Sequence, residues 1–245
     1  MPTDNASAWD RFSAAYQAGA RLSTDVAHYG PDIGTEAELH LLGDLKGKRV
    51  LELGCGAAQC SIAFAKQGAT ALGVDFSAEQ LAHARRLAEE EGVRVELHQA
   101  DLADLAFVRA ESVDLVFSAY ALGFVDDLSR VFRQVHRVLK PSAPFVFSLP
   151  HPAYDMIDDD ADVPLLVRRS YFDQSPIDYE WNSIGFTDYH HTIGDLYMAL
   201  VRASYRVDVI LEPEPSHSGP RSMHWHDSFQ WVPRTLVVRA RKEGN

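Results

Sequence analysis

Cysteine is almost missing from this chain: Cys55 and Cys60 are the two present among 245 residues. A disulfide framework is excluded, and no Cys/His set has the spacing of a zinc site. Two free thiols fit a reducing compartment. Basic charge is also scarce, with 23 Lys and Arg against 35 Asp and Glu and a formal net charge of −12. Polyanions are held by Lys and Arg neutralising phosphates, so nucleic acid and an anionic membrane are not expected as main partners. No apolar run approaches the ~18–20 residues needed to cross a bilayer. The N-terminus, MPTDNASAWDRF, has no basic stretch followed by an apolar one. The expectation is a cytoplasmic protein without a secretory signal. Internal repeats and low-complexity tracts are lacking too.

What is there is an alternation of apolar runs and amphipathic stretches. Arg49–Leu53 is a short apolar run closed by glycines, as a buried strand is. Ser61 to Gln67 reads as helix, and Ala69 to Val74 as a second strand closed by Asp75. Ser77-x-x-Gln80 has the form of a capping box, with Leu81, Ala84, Leu87 and Ala88 on one helical face and Gly92 at its end. Val93–Leu97 and Val113–Phe117 read as strands three and four. Leu128, Val131, Phe132, Val135, Val138 and Leu139 repeat with a 3.6-residue period until Lys140-Pro141 stops the helix. Phe145–Leu149 is a fifth strand. Strands alternating with helices imply right-handed crossovers and a parallel sheet, with ligands bound beyond the carboxyl ends of the strands.

The residues at those ends narrow the ligand. Glu52-Leu53-Gly54-Cys55-Gly56-Ala57-Ala58 follows the first strand and opens a helix, and Asp75 ends the second. Glycine admits close backbone approach, and a carboxylate at Asp75 can accept from both hydroxyls of a ribose. A dinucleotide site usually carries a third glycine, where this chain has Gln59, and Glu52 would oppose a pyrophosphate. No Gly-Lys-Ser/Thr loop for phosphate occurs. A nucleoside carrying positive charge suits this pattern better. Gly54 and Gly56 could also merely turn the chain, and Asp75 could merely cap a helix.

From about Lys46 to Leu149 the chain resembles the class I methyltransferases that use S-adenosylmethionine, in their small-molecule, type 11 branch. VLELGCGAAQC, GVDFS, HQADLADL, DLVFSAYAL and VLKPSAPFVFS carry the likeness. It implies an α/β fold: a Rossmann-like, seven-stranded, mostly parallel sheet with the last strand antiparallel, flanked by helices, with a cap inserted after strand five. By resemblance Glu52 sits near the methionine amino group, and Gly54, Cys55 and Gly56 line the methionyl moiety. Asp75 holds the ribose and Phe76 packs on adenine. Asp101 and Leu102 flank the adenine amine, and Ser118 and Tyr120 face the methionine end. Ala57-Ala58 departs from the family's usual Thr-Gly or Gly-Gly. The expected organisation is an N-terminal helical lid over 1–47, with Tyr16 over the cofactor, and a nucleotide core over 48–150. A substrate cap spans 151–191, and a helix with the last two strands spans 192–245.

Subclass marks for DNA-base amines and for C5-pyrimidine chemistry are missing, which leaves a small-molecule acceptor. Transfer at O, N or C would be an in-line displacement, in which positioning supplies much of the rate. An RNA methyltransferase and a binding or regulatory protein without transfer activity are the alternatives. Residues 151–191 hold seven aromatics, and nine acids against Arg168 and Arg169, with Asp158-Asp159-Asp160 read as a solvated loop. Tyr171-Phe172 and Tyr179-Glu180-Trp181 look like a two-stranded extension around Ser175-Pro176. Tyr29, Tyr154, Trp181 and Tyr189 are the candidate acceptor contacts. His151, His190 and His191 are candidate general bases, since imidazole titrates near neutrality. No metal is expected. His217, His224 and His226 are read as a His-rich loop packing Trp225 and Trp231 near the cap. The alternation in Arg234–Arg241 reads as an edge strand.

Overall fold

The computed structural model describes residues 4–158, 163, 165–216 and 220–244. Asp159, Asp160, Asp162 and His217 lie outside the described residues. Helix α1 (Asn5–Ala20) begins at Asp4, whose carboxylate accepts from the Ala6 and Ser7 amides, and a single turn, α2 (Glu36–Leu39), follows. Next come β1 (Arg49–Leu53), α3 (Gln59–Lys66), β2 (Thr70–Asp75), α4 (Ala78–Glu90), β3 (Val95–Gln99) and β4 (Leu115–Ala119). Helix α5 (Leu128–Val138) and β5 (Pro144–Pro150) complete the parallel part. A hairpin, β6 (Ile177–Trp181) and β7 (Ile184–Asp188), precedes α6 (Ile193–Arg202), β8 (Tyr205–Leu211) and β9 (Thr235–Lys242).

Seven strands form one sheet in the order β3-β2-β1-β4-β5-β9-β8. The first five are mutually parallel. Strand β9 runs antiparallel to both β5 and β8. The chain order reverses between β2 and β4, on either side of β1, which is where an open α/β sheet forms its ligand crevice. Strands β1, β2 and β4 are buried on both faces and so are nearly continuous apolar runs rather than alternations. One face packs α5 through Leu128, Val131, Phe132 and Val135. The other packs Phe64 of α3 together with Tyr29, Leu41 and Leu42 of the N-terminal segment.

Three local expectations are corrected. Strand β9 is interior, not an edge: its basic residues turn to Asp208 of β8, which receives Arg239 at 2.9 Å and Arg241 at 2.7 Å. The hairpin pairs Tyr179 with Phe186; Tyr171-Phe172 lies outside it in a turn, with Phe172 81 % exposed. Ser77 does cap α4 by accepting from the Gln80 amide. The Gln80 side chain, however, turns into the crevice instead of closing a capping box, and accepts from Gln17 at 2.8 Å.

The hairpin is fixed to α1 by rings. Trp9, Phe12 and Tyr16 meet Phe124, Tyr179, Trp181 and Phe186 in one cluster. Phe12 to Trp181 is 4.4 Å between centroids, and Trp9 stands edge-on to Phe124 at 5.6 Å. Burying an aromatic side chain contributes ~1.5–3 kcal/mol, so the fully buried Phe12 and Phe186 are the main anchors of this lid. Asn5 adds a two-way bond to the Thr187 backbone.

Candidate functional site

The crevice forms because β1 ends in a turn that only small residues can make. Gly54 has φ +65°, and a Cβ added there would stand 2.0 Å from that of Ala121, after β4. The Gly56 amide (φ +53°) donates to Asp75 Oδ2 at 2.8 Å, and Ser77 N donates to Oδ1 at 2.9 Å. Both carboxylate oxygens are thus oriented by backbone, and burial raises this group to a pKa of about 6. Ala58 takes the left-handed conformation that opens α3. Glu52, 4 % exposed, accepts from Ser61 N and Oγ. Burial is the largest influence on Glu52 and raises it to about 8, against the pull of the Ser61 bonds.

These groups wall a cleft of about 660 Å³ that is also lined by Cys55, Phe76, Tyr120 and Tyr16. It holds Glu52 and Asp75 but no Lys or Arg among its lining residues. Such a donor set suits a cationic nucleoside and opposes a phosphate. A cradle that any Cβ at Gly54 would fill, beside two carboxyls and an aromatic ring, fits S-adenosylmethionine.

The lid is latched across this cleft by three amides in series. Gln59 at the start of α3 donates to Gln17 of α1 at 2.7 Å, and Gln17 donates to Gln80 of α4 at 2.8 Å. Asp10 of α1 also accepts from Ser77 Oγ and Glu79 N at the start of α4.

A second chamber of about 910 Å³ opens from the first. Trp9, Tyr16, Leu22, His28, Ala119, Tyr120 and Phe124 border both. Tyr179, Trp181, Asp188, His224 and Arg234 border the second alone. Burial raises Asp188 to about 7, and its carboxylate accepts from Tyr179 OH at 3.2 Å. Tyr120 (φ +63°) joins its hydroxyl to Thr235 Oγ1. The Arg234 guanidinium lies 4.8 Å over the Tyr154 ring.

Several expected site residues stand elsewhere. Ser118 is fully buried and donates to Leu53 O, tying β4 to β1. Leu102 packs in the core, 4.0 Å from a Cβ built at Gly54. Asp101 is exposed and accepts from Ala103 N. Neither Asp101 nor Leu102 lines the cleft.

The three histidines expected as bases are corrected, because their rings are engaged away from both cavities. His151 bonds Glu212 at 2.9 Å and accepts from Ala153 N. His190 uses one nitrogen on Asp155 and the other on Tyr171 O. His191 bonds Val125 O. Of the acceptor contacts, Trp181 lines the chamber. Tyr29 is a correction: its ring is fully buried against Phe117 and its hydroxyl donates to Glu36 at 2.5 Å. Tyr154 is buried and bonded to Ser228, and Tyr189 borders a small separate pocket with His191. His28, beside Tyr29 in the closing N-terminal segment and not among the expected bases, lines both cavities. An irregular segment carries no periodicity that tells which of two neighbours points inward. Trp231 does not pack near the cap, being 76 % exposed. Trp225 packs on Phe229, with the Arg221 guanidinium 3.6 Å over its ring. Among the described residues no group of three His, Cys, Asp or Glu is arranged to hold a metal ion. No described helix is long and apolar enough to cross a membrane.

A methyltransferase-domain model matches residues 50–142. A Pseudomonas syringae ubiquinone biosynthesis O-methyltransferase is 41 % identical over 105 residues, 43 % of this chain and 45 % of that enzyme. The crystal structure of an S-adenosylmethionine-dependent methyltransferase from Mesorhizobium loti superposes with TM-score 0.69 at 28 % identity, covering 83 % of this chain and 94 % of that one. A Listeria monocytogenes chain ascribed to the same class superposes with TM-score 0.72 at 26 % identity, covering 84 % and 94 %.

Proposed function

This chain belongs to the class I S-adenosylmethionine-dependent methyltransferases, and on that premise we propose that it methylates a small, planar molecule held in the aromatic chamber beside the donor cleft. The observation that carries this reading is the shared wall. Trp9, Tyr16, Tyr120 and Phe124 border both spaces, so a molecule in the chamber sits against whatever fills the cleft. Ring-lined chambers with a few polar handles hold planar small molecules by stacking and burial. The match to an O-methyltransferase spans less than half of that enzyme, so transfer to O, N or C stays open within this proposal.

S-adenosylmethionine supplies an electrophilic methyl group on a sulfonium. The chain's own work is binding and alignment. Glu52 is proposed to meet the donor's ammonium and Asp75 the ribose hydroxyls, with Phe76 against the adenine face. Asp101 and Leu102 remain candidates for the far end of the adenine, although neither borders the cleft as it stands. The lid formed by α1 and the β6–β7 hairpin excludes water and orders the reactants, which favours displacement over side reactions. The described lining of the chamber holds one arginine, Arg234, and no lysine, which favours a small molecule over RNA.

The test is donor binding by calorimetry followed by transfer of labelled methyl to a panel of phenols, amines, thiols and heteroaromatic carbon acids. Micromolar donor binding with label on at least one small acceptor is the expected result. Donor binding with no label on any acceptor class defeats the proposal, and salt-sensitive labelling of RNA replaces it.

A further inference from the structure

Among the described residues, His28 is the one titratable side chain with a free ring that borders both the donor cleft and the acceptor chamber. Every other candidate among the described residues has its polar atoms committed, stands on one side of the junction, or holds its proton too tightly. Tyr120, which also borders both, ties its hydroxyl to Thr235. Tyr16 borders both, but desolvation raises its phenol to about 12, so it holds its own proton. Asp188 and His224 lie on the chamber side alone. The Nδ1 atom of His28 is buried with no hydrogen-bond partner, which leaves Nε2 as the ring nitrogen that reaches the open space. Leaving a buried polar atom unpaired costs a fold stability. The fold gains nothing visible from that cost, since the bond His28 does support, from Cys60 Sγ, uses its backbone carbonyl and not its ring.

We propose that the acceptor is a hydroxyl-bearing aromatic and that His28 is the catalytic base, taking the hydroxyl proton at Nε2 as the oxygen is methylated. This rests on the small-molecule reading of the chamber and sharpens it. The acceptor oxygen forms a bond to the methyl carbon, and the sulfur–carbon bond breaks with its electron pair onto sulfur. The O–H proton passes to Nε2, and the imidazolium returns it to solvent. Acceptance at Nε2 requires the tautomer with hydrogen on Nδ1. Desolvation lowers His28 to about 4, so the ring is neutral and ready to accept at neutral pH. A base this weak suffices, because a hydroxyl oxygen being alkylated becomes strongly acidic as its new bond forms. An ammonium acceptor is a poorer match: it must lose a proton before it can attack, and a base of this strength does not remove it. The aromatic walls of the chamber suit a flat partner, and His28 stands where the chamber meets the cleft.

The test uses the full chain with His28→Gln and His28→Asn. Donor affinity is expected to stay within about twofold, while transfer to weakly acidic phenols falls roughly 10²–10⁴-fold, the usual yield of a positioned base. The loss should shrink for 4-nitrophenol assayed above neutral pH, where it is already ionised. Independently of turnover, catechol added to the wild-type protein without donor should shift the one imidazole NMR signal that both variants lack. Variants that transfer to phenols within threefold of wild type overturn the proposal. So does a His28 signal unmoved by saturating catechol. Wild-type transfer confined to amines or thiols also overturns it, while leaving the small-molecule reading intact. Transfer to no acceptor class at all defeats both.

Discussion

Donor binding should expel a proton, and the structure says how much. Glu52 and Asp75 wall a cleft that receives a cation, and burial raises them to about 8 and about 6. At pH 7 Glu52 is then roughly nine-tenths protonated and Asp75 roughly one-tenth. A bound ammonium and sulfonium favour both carboxylates in their charged form, so about one proton leaves. The donor's own α-amino group, with a reference value near 7.7–8.0, is about one-tenth neutral at that pH and takes that fraction back on binding. The net release is therefore about 0.9 proton at pH 7. It falls with rising pH and reverses near pH 8, where uptake by the amine overtakes release by Glu52. Calorimetric binding enthalpies measured in phosphate, HEPES and Tris, plotted against buffer ionisation enthalpy, give the number as a slope. Glu52→Gln should remove nearly all of the release at pH 7. The same residue sets a stability trend. A carboxyl raised in the native state makes the folded chain the better proton binder, so the donor-free protein loses stability from about pH 4.5 up to 8. A slope near zero at pH 7, or one indifferent to Glu52→Gln, would refute the reasoning.

Other perturbations follow from the same geometry. Gly54→Ala forces a Cβ to 2.0 Å from Ala121 at positive φ; a cost of about 2–4 kcal/mol should lower the melting temperature by roughly 5–15 °C. Asp75→Asn replaces one acceptor oxygen by a donor facing a backbone N–H, and donor affinity measured by calorimetry should weaken about 10–100-fold. Asp155→Asn removes the bond that is the largest cause raising His190. A raised histidine adds stability that is full below the ordinary imidazole range and fades as pH climbs past its native value. Denaturant unfolding should therefore separate the two proteins more at pH 5.5 than at pH 8.5, and an equal gap at both would count against the pair.

The sheet was readable because its signals are local. Strands β1 and β2 are short apolar runs closed by glycine and by Asp75, and the turn after β1 carries Gly54 and Gly56 where only small residues fit. The acceptor side was not readable in the same way. His151 follows β5 directly, which fixes its backbone, yet its ring is drawn to Glu212, 61 residues later. His190 is committed by Asp155 and Tyr171, again partners that no sequence window shows. Tyr29, expected at the acceptor, is drawn away by Glu36, which takes its hydroxyl and holds it in the core. Alternation in β9 mimicked an edge strand because Arg239 and Arg241 both face a single aspartate on β8.

The row of glutamines from Gln59 through Gln17 to Gln80 has a direction. Each amide gives a hydrogen to the next, so turning any one of them over sets donor against donor and acceptor against acceptor at its neighbours. The row can reverse only if all three turn, and lifting α1 off the cleft breaks both of its bonds. Opening the cleft by lifting α1 as a unit also breaks the bonds of Asp10 to Ser77 and Glu79, and amides along α1 should then exchange with solvent as a single group at a common rate.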